Sequence, residues 1–386
     1  MTEPPVLLDV SRLIWRAWLG LLPTGIDRAC IAYVRHYRGR ALAVVQRGGL
    51  TRVLNAALSE RLFDLLVDPP ADVRWKLMRL ILPGLVGCAA RSGMRGALYI
   101  NVGHTGLDRA GHARWVRRSG VRPVYYVHDL IPITHPQFAR AGVPRRHALR
   151  MCAVLRLGAA VIANSADSVQ ALGAFAREEG LPMPPTLIAP LGVETHASAP
   201  AHTPREPPTF VMLGTIEGRK NHALILGVWR RLIAQLGEQV PRLVIIGQRG
   251  WQADDIFRQL DEDPTLRPYV RELGRCDDAE LQRWLGSARA LLFPSFVEGQ
   301  GLPLIEALAA GVPVIASDLA VFRETAGAIP VYLDPQDEAA WEAAVIDYAA
   351  QHSDARARQL ERMRDFTPPS WEAHFRMVER WLERLA

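Results

Sequence analysis

Ala290-Leu291-Leu292-Phe293-Pro294-Ser295-Phe296-Val297-Glu298-Gly299-Gln300-Gly301-Leu302-Pro303-Leu304-Ile305-Glu306-Ala307-Leu308-Ala309-Ala310-Gly311-Val312-Pro313-Val314-Ile315-Ala316 is the stretch on which the fold turns. Its opening residues form a short apolar run that ends at a proline, as a buried strand does. A polar, glycine-containing loop follows. Leu302-Pro303 then opens a helical pattern that reaches Ala310. Proline suits the first turn, where its missing N–H costs little. Pro313–Ala316 reads as the next strand. Strand, loop, helix and strand, with strands apolar on both faces, make the repeating unit of a covered parallel sheet.

The same alternation extends in both directions. Strands are predicted at 210–214, 242–247 and 331–333, with helices at 221–236, 278–287, 337–351 and 370–385. Upstream, residues 195–209 are rich in Pro, Ala, Ser and Thr and read as a linker. Before the linker, strands are predicted at 6–10, 41–45, 97–102, 123–128, 159–164 and 186–189, with helical patterns between most of them. The fold class is therefore α/β, with two Rossmann-like domains and ligands expected beyond the carboxyl ends of the strands. The divisions are an N-terminal domain over 1–200, a C-terminal domain over 201–369, and a last helix over 370–386 that packs back on the first domain.

Length and composition fit this organisation. The 386 residues exceed one core, and 49% apolar with 22% charged residues describes an ordinary soluble globular chain. No apolar run approaches the roughly 18 residues of a membrane span. Met1-Thr2-Glu3-Pro4-Pro5 does not resemble a secretory leader. Cys30, Cys88, Cys152 and Cys276 are far apart, with no CxxC spacing, which favours reduced thiols over zinc or disulfides. Charge is uneven. Residues 1–200 hold 25 Lys+Arg and 13 Asp+Glu, and residues 201–386 hold 21 and 27. A basic first half implies an anionic partner, and no nucleic-acid motif accompanies it. An anionic membrane surface is the first expectation. Arg74-Trp75-Lys76-Leu77-Met78-Arg79-Leu80-Ile81-Leu82-Pro83 and the cluster Arg145, Arg146, Arg150 and Arg156 could supply it. An ordinary surface helix, apolar side inward, explains the first stretch equally simply.

Two clusters carry chemistry. In the quoted stretch, Glu298 and Glu306 are separated by seven residues. Gly299, Gly301 and Leu302 lie between them, where backbone N–H groups can approach an anion at a helix start. After the first C-terminal strand comes Gly214-Thr215-Ile216-Glu217-Gly218-Arg219-Lys220-Asn221. Arg219 offers a planar fork and Lys220 a point charge, a pair suited to a diphosphate.

These residues resemble the retaining glycosyltransferases of family four, which have the GT-B fold. In that family a Glu-(seven residues)-Glu motif lies within a segment like Glu-Gly-Phe-Gly-Leu-Pro. Here Gln300 replaces the aromatic residue. The Gly-Arg-Lys-Asn run, Glu272-Leu273-Gly274-Arg275 with Asp278-Ala279-Glu280-Leu281, and Arg323-Glu324-Thr325-Ala326-Gly327 also resemble it. The resemblance implies that Glu306 holds the ribose of a nucleotide, Glu298 contacts the donor sugar, and Arg219 and Lys220 neutralise the diphosphate. Gly214, Gly299, Gly301 and Leu302 would line the donor site. It also implies that His128, at the end of Tyr125-Tyr126-Val127-His128-Asp129, points to the reaction centre, where a hydrogen-bonded structural histidine is the alternative. Leu22-Pro23-Thr24-Gly25-Ile26-Asp27-Arg28 resembles the family's glycine loop, which places Gly25 near phosphate or acceptor, although Thr24 stands where a second glycine is common. Asn164-Ser165-Ala166-Asp167-Ser168 resembles another family segment, with a helix N-cap as the equal alternative.

The resemblance thus implies hexosyl transfer with retention from a nucleotide diphosphate sugar, GDP-mannose or UDP-glucose, to a saccharide or lipid-linked saccharide in bacterial polysaccharide synthesis. No cofactor is expected beyond that co-substrate. No metal is expected, because Asp254-Asp255 and Asp261-Glu262-Asp263 look like exposed acidic turns. The expected location is cytoplasmic, peripheral on the inner face of the membrane. A GT-B sugar-nucleotide epimerase, a phosphorylase-like enzyme and a non-catalytic nucleotide- or polysaccharide-binding scaffold remain as alternatives.

Overall fold

The structure is a computed structural model that describes residues 6–21, 23–87, 94–194, 206–274 and 276–385. Most of the linker, together with Met1–Pro5, Leu22, Cys88 and Arg275, lies outside these residues. Thirteen described strands form two sheets. The first contains β1 (Val6–Asp9), β2 (Ala41–Arg47), β3 (Leu50–Val53), β4 (Leu98–Asn101), β5 (Arg122–Val127), β6 (Ala160–Ala163) and β7 (Thr186–Ile188). Their spatial order is β3-β2-β1-β4-β5-β6-β7, and only β3 runs antiparallel to its neighbour. The second contains β8 (Thr209–Leu213), β9 (Arg242–Ile246), β10 (Val270–Leu273), β11 (Ala290–Phe293), β12 (Val314–Ser317) and β13 (Val331–Leu333). Its order is β10-β9-β8-β11-β12-β13, parallel throughout.

The second sheet shows why its strands read as unbroken apolar runs. Successive side chains point to opposite faces. Phe210, Met212, Leu243, Ile245, Ala290 and Leu292 enter a core built around Trp229 and Trp341. Their neighbours Val211, Val244, Ile246, Leu291 and Phe293 enter a second core with Leu304, Leu308 and Phe322. Helices cover both faces, so the central strands β8, β9, β11 and β12 are apolar along most of their length.

Two strands and the helices Ser11–Leu19, Asp254–Glu262, Ala320–Ala326 and Asp354–Met363 fall outside the sequence expectations. β3 and β10 are edge strands carrying Arg52 and the pair Arg271-Glu272. One side of an edge strand faces solvent, so the apolar signal thins. The helix Ser11–Leu19 buries only Ser11 and Leu13 and also lacks a full apolar stripe. Conversely, Asp254-Asp255 and Asp261-Glu262 lie at the two ends of a helix, Asp254–Glu262, and not in turns.

Contacts divide the chain into two units. One comprises 1–134, 141–191 and 371–386, and the other 135–140 and 192–370. In the first unit the helix Trp371–Leu385 buries His374, Phe375, Val378 and Leu382. Phe375 stacks on His36 at 3.8 Å, and the Tyr33 hydroxyl meets His374 Nε2 at 2.9 Å. The second unit also takes in His135–Arg140. There Trp251 Nε1 donates to the Phe138 carbonyl at 3.0 Å, and Phe138 stacks with Phe296.

Candidate functional site

Strand order places the charged cluster. The chain leaves β8 toward one side of the sheet and leaves β11 toward the other. A crevice opens at the strand ends where this reversal occurs. Both quoted clusters sit on those two loops. Gly214 ends β8 with φ 135°, and a Cβ there would lie 3.3 Å from Lys220 Cε. The loop then forms a 3-10 turn at Gly218–Lys220, and Asn221, at φ 56°, opens the helix His222–Leu236.

The tight turn folds Lys220 back under its own strand. Its Nζ lies 2.5 Å from Glu298 Oε1 and 4.6 Å from the Phe293 ring centroid. Arg219 grips the other carboxylate oxygen, Nη1 to Oε2 at 2.8 Å, and donates to the Val297 carbonyl at 3.1 Å. Glu217 completes the set at 2.6 Å from Arg219 Nε. Ser295 Oγ donates to Glu298 Oε1 at 2.8 Å. The backbone is stitched as well, with Phe296 N–H donating to the Arg219 carbonyl at 2.8 Å.

Two acids and two cations therefore balance in a mostly buried cluster. Burial opposes ionisation of Glu298, yet Arg219 and Lys220 overcome it and hold the carboxyl down at about 2. Burial pulls Lys220 below the ordinary lysine value, with Glu298 opposing. Glu217 is raised by burial despite Arg219. Only Arg219 keeps appreciable exposure, 22% of its side chain. Lys220 is one of just two lysines among 46 basic residues. A compact ammonium occupies the narrow space beside Gly214, where a guanidinium would be broader.

Glu298 leads into the helix Leu302–Ala309 through Gly299 and the buried Gln300. Gly301 sits at its N-terminus with φ 85°, and a Cβ there would come within 2.6 Å of the Phe322 ring. Only glycine fits both constraints. Leu302 begins the helix, and Glu306 follows one turn on, half-buried. Direct contacts thus unite Glu298, Arg219 and Lys220, while Glu306 lies one turn into the helix that follows them.

Candidate residues of the first unit are placed differently. His128 follows β5, is buried, and donates from Nε2 to the Val102 carbonyl at 2.8 Å. Burial lowers its pKa to about 4. A carbonyl only accepts, so the proton is on Nε2 and Nδ1 is left as the acceptor. Gly25 begins the helix Gly25–Tyr37, capped by Thr24. Asp27 accepts from the Thr24 N–H at 2.7 Å and is paired with Arg12 at 2.7 Å and Arg16 at 3.0 Å. Ser165 is the N-cap of the helix Ala166–Glu178, accepting from Ser168 N–H at 3.1 Å. That is the cap alternative for this segment.

Sequence reasoning missed four contributors. Glu217 and Ser295 lie inside the quoted stretches but were assigned no part. His104 and His147 flank His128 in the first unit. His104 Nε2 meets the Tyr126 carbonyl at 2.6 Å, and His147 Nε2 meets the Asp129 carbonyl at 3.1 Å. His104 follows the end of β4 and has φ 57°, uncommon for a non-glycine residue. Its strand-end position was the available signal.

Residues 207–351 match the family model for Glycosyl transferases group 1. The chain is 30% identical over 251 residues to the Escherichia coli serotype-specific mannosyltransferase WbdA, covering 61% of this chain and 31% of that protein. It is 36% identical over 163 residues to the Escherichia coli O-antigen chain mannosyltransferase B, covering 42% of each. The chain thus spans less than half the length of these curated relatives. Anabaena HepE in complex with UDP superposes with a TM-score of 0.63 at 17% identity, over 98% of this chain and 99% of that one. Residues 207–351 of this chain are therefore similar to glycosyl transferases of group 1, and the chain as a whole has the GT-B fold.

Proposed function

We propose that this chain transfers a hexose, mannose first, from a nucleotide diphosphate sugar to a saccharide or lipid-linked saccharide in bacterial polysaccharide synthesis. The observation that carries the reading is Glu298 held between Arg219 and Lys220 beside a glycine-capped helix at the sheet's switch point. The mannosyltransferase names of the relatives support mannose, which would come from GDP-mannose. The UDP-glucose bound to HepE makes glucose the second candidate.

In this reading the diphosphate lies against Arg219 and Lys220 and the backbone of Gly214, Gly299, Gly301 and Leu302. Glu298 orients the two cations and meets the donor sugar, and Glu306 takes the ribose hydroxyls. Fixed cations stabilise charge as it develops on the departing diphosphate, in a site that needs little reorganisation. The two side chains serve in place of a metal ion. The anomeric C–O bond to the phosphate breaks, and the acceptor oxygen bonds to the anomeric carbon on the same face. The acceptor's proton passes to the leaving phosphate oxygen. His128, in the first unit, offers an uncharged acceptor through Nδ1 to a hydroxyl group.

A panel of nucleotide sugars tests this by thermal stabilisation. A ligand at 100 times its dissociation constant adds about 2.7 kcal/mol. GDP-mannose is expected to stabilise most, and release of an α-linked product is expected with a mannan-type acceptor. Failure of every nucleotide sugar to stabilise the chain would overturn the reading. Conversion of donor without acceptor into an epimeric sugar nucleotide would replace it with an epimerase.

A further inference from the structure

The chain has ten tryptophans, and the three that are exposed all lie on two touching helices of the first unit. Trp15 and Trp18 sit on Ser11–Leu19, exposed by 60% and 40%. Trp75 sits on Val73–Gly87, exposed by 65%. Leu19 at 44% and Leu21 at 43% continue the first patch. Trp15, Trp18 and Leu19 are three and four residues apart and so share one helix face. The inward side of the second helix is equally clear, since Leu77 and Leu80 are buried.

These helices are joined at Gly20. It ends the first with φ 65°, and a Cβ there would lie 2.9 Å from the Arg74 guanidinium. Arg74 thereby carries positive charge to the end of the tryptophan helix. Arg79 lies one turn beyond Trp75 on the same face. Among the described residues neither Arg74 nor Arg79 has a carboxylate partner, whereas Lys76 is paired with Asp72 at 3.0 Å. The other basic cluster is partly consumed, because Arg150 pairs with Asp108 at 3.1 Å.

Exposed tryptophan is costly in water and favoured where one end of the ring is apolar and the other wet. Exposed tryptophans on two touching helices, with the unpaired Arg74 and Arg79 beside them, match the boundary between headgroups and acyl chains of an anionic bilayer. The excess of 25 basic over 13 acidic residues in the first 200 supplies the attraction. No helix among the described residues is long and apolar enough to cross a membrane, so contact here is with the surface. We infer that Trp15, Trp18, Leu19, Leu21 and Trp75, with Arg74 and Arg79, dock the protein on an anionic phospholipid surface. This goes beyond the proposed sugar transfer and does not require it.

Flotation of the full chain with vesicles tests the docking surface. Vesicles of phosphatidylcholine alone are compared with vesicles containing phosphatidylglycerol. The wild type is expected to float with the anionic vesicles and to be released by high salt. The triple variant Trp15→Ser/Trp18→Ser/Trp75→Ser is expected to bind at least tenfold more weakly with an unchanged melting temperature. A double variant Arg74→Gln/Arg79→Gln should lose the salt-sensitive part. Equal flotation of wild type and triple variant, or no flotation of either, overturns the proposal. So does a wild-type dimer in light scattering that the triple variant abolishes without any vesicle binding, since the patch would then be a self-association face. Nucleotide-sugar stabilisation of the triple variant, measured in parallel, reports separately on the donor site.

Discussion

The strand ends of the two units solve different electrostatic problems. In the second, two acids and two cations are packed together, and Glu298 stays ionised because Arg219 and Lys220 outweigh its burial. In the first, His104, His128 and His147 are buried together, and each Nε2 meets a backbone carbonyl. Burial keeps them neutral. One region holds fixed charge, and the other holds oriented, uncharged imidazoles. The same kind of parallel sheet therefore presents charged or neutral groups at its strand ends according to what its loops bury.

Breaking the charged cluster is expected to have the largest effect. Glu298→Ala leaves Lys220 buried beside Arg219 without the carboxylate between them. Removing one partner of a buried pair costs roughly 3–5 kcal/mol. Denaturant unfolding should show that loss, with Glu298→Gln clearly milder because Ser295 can still bond the side chain. Equal stability of wild type and Glu298→Ala would show that the contacts do not hold the loop.

Acid separates the two regions next. Above pH 6.5 the buried imidazoles are neutral in both folded and unfolded chains. Below it the unfolded chain takes up protons that His112, His128 and His374 refuse until about pH 4. Stability is thus present above 6.5 and lost as pH falls toward 4. Glu298 behaves alike in a lower window. Its contribution is full above about 4.5 and disappears as pH falls toward 2. Unfolding midpoints measured from pH 7.5 to 4.5 should fall in wild type and in Glu298→Gln alike. A flat profile over that range would contradict neutral burial of the histidines.

Gly301→Ala sharpens the comparison at the backbone. The left-handed φ costs about 1–2 kcal/mol, and the new methyl meets Phe322 at 2.6 Å. Gly180 of the first unit has a similar φ of 63° but open space around it. Gly180→Ala should therefore pay only the strain, and the difference between the two variants isolates the packing against Phe322. Lys220→Ala is the functional counterpart. Turnover should fall at least tenfold, about 1.4 kcal/mol of barrier. Unchanged turnover would remove Lys220 from the reaction.

How much of this was legible follows from where each signal resides. Strands β8, β9, β11 and β12 are apolar on both faces, so a run of residues marks them without ambiguity. Edge strands β3 and β10 carry Arg52 and Arg271-Glu272 and hide among loops. The helix Ser11–Leu19 was missed because its tryptophans face outward and dilute its apolar stripe. At the site, the glycines, Arg219, Lys220 and Glu298 announce themselves by type and spacing. Their pairing does not, because Lys220 and Glu298 are 78 residues apart and only the strand order brings β8 beside β11. The histidine cluster was less visible still, since its members come from two strand ends and a helix.

The smallest expected effect concerns what fastens the last helix to the first unit. His374 Nδ1 lies 2.9 Å from the Pro190 carbonyl, which can only accept, so the proton is on Nδ1. Nε2 must then accept from the Tyr33 hydroxyl at 2.9 Å. Tyr33→Phe keeps the ring contacts with Phe375 at 5.0 Å and Tyr126 at 6.0 Å and deletes only that donor. The buried nitrogen is left unsatisfied, at a cost of about 1 kcal/mol. The loss should appear in denaturant unfolding of the first unit and leave nucleotide-sugar stabilisation of the second unchanged. A larger loss, or a loss of donor binding, would mean that the helix Trp371–Leu385 supports more of the molecule than its own side chains contact.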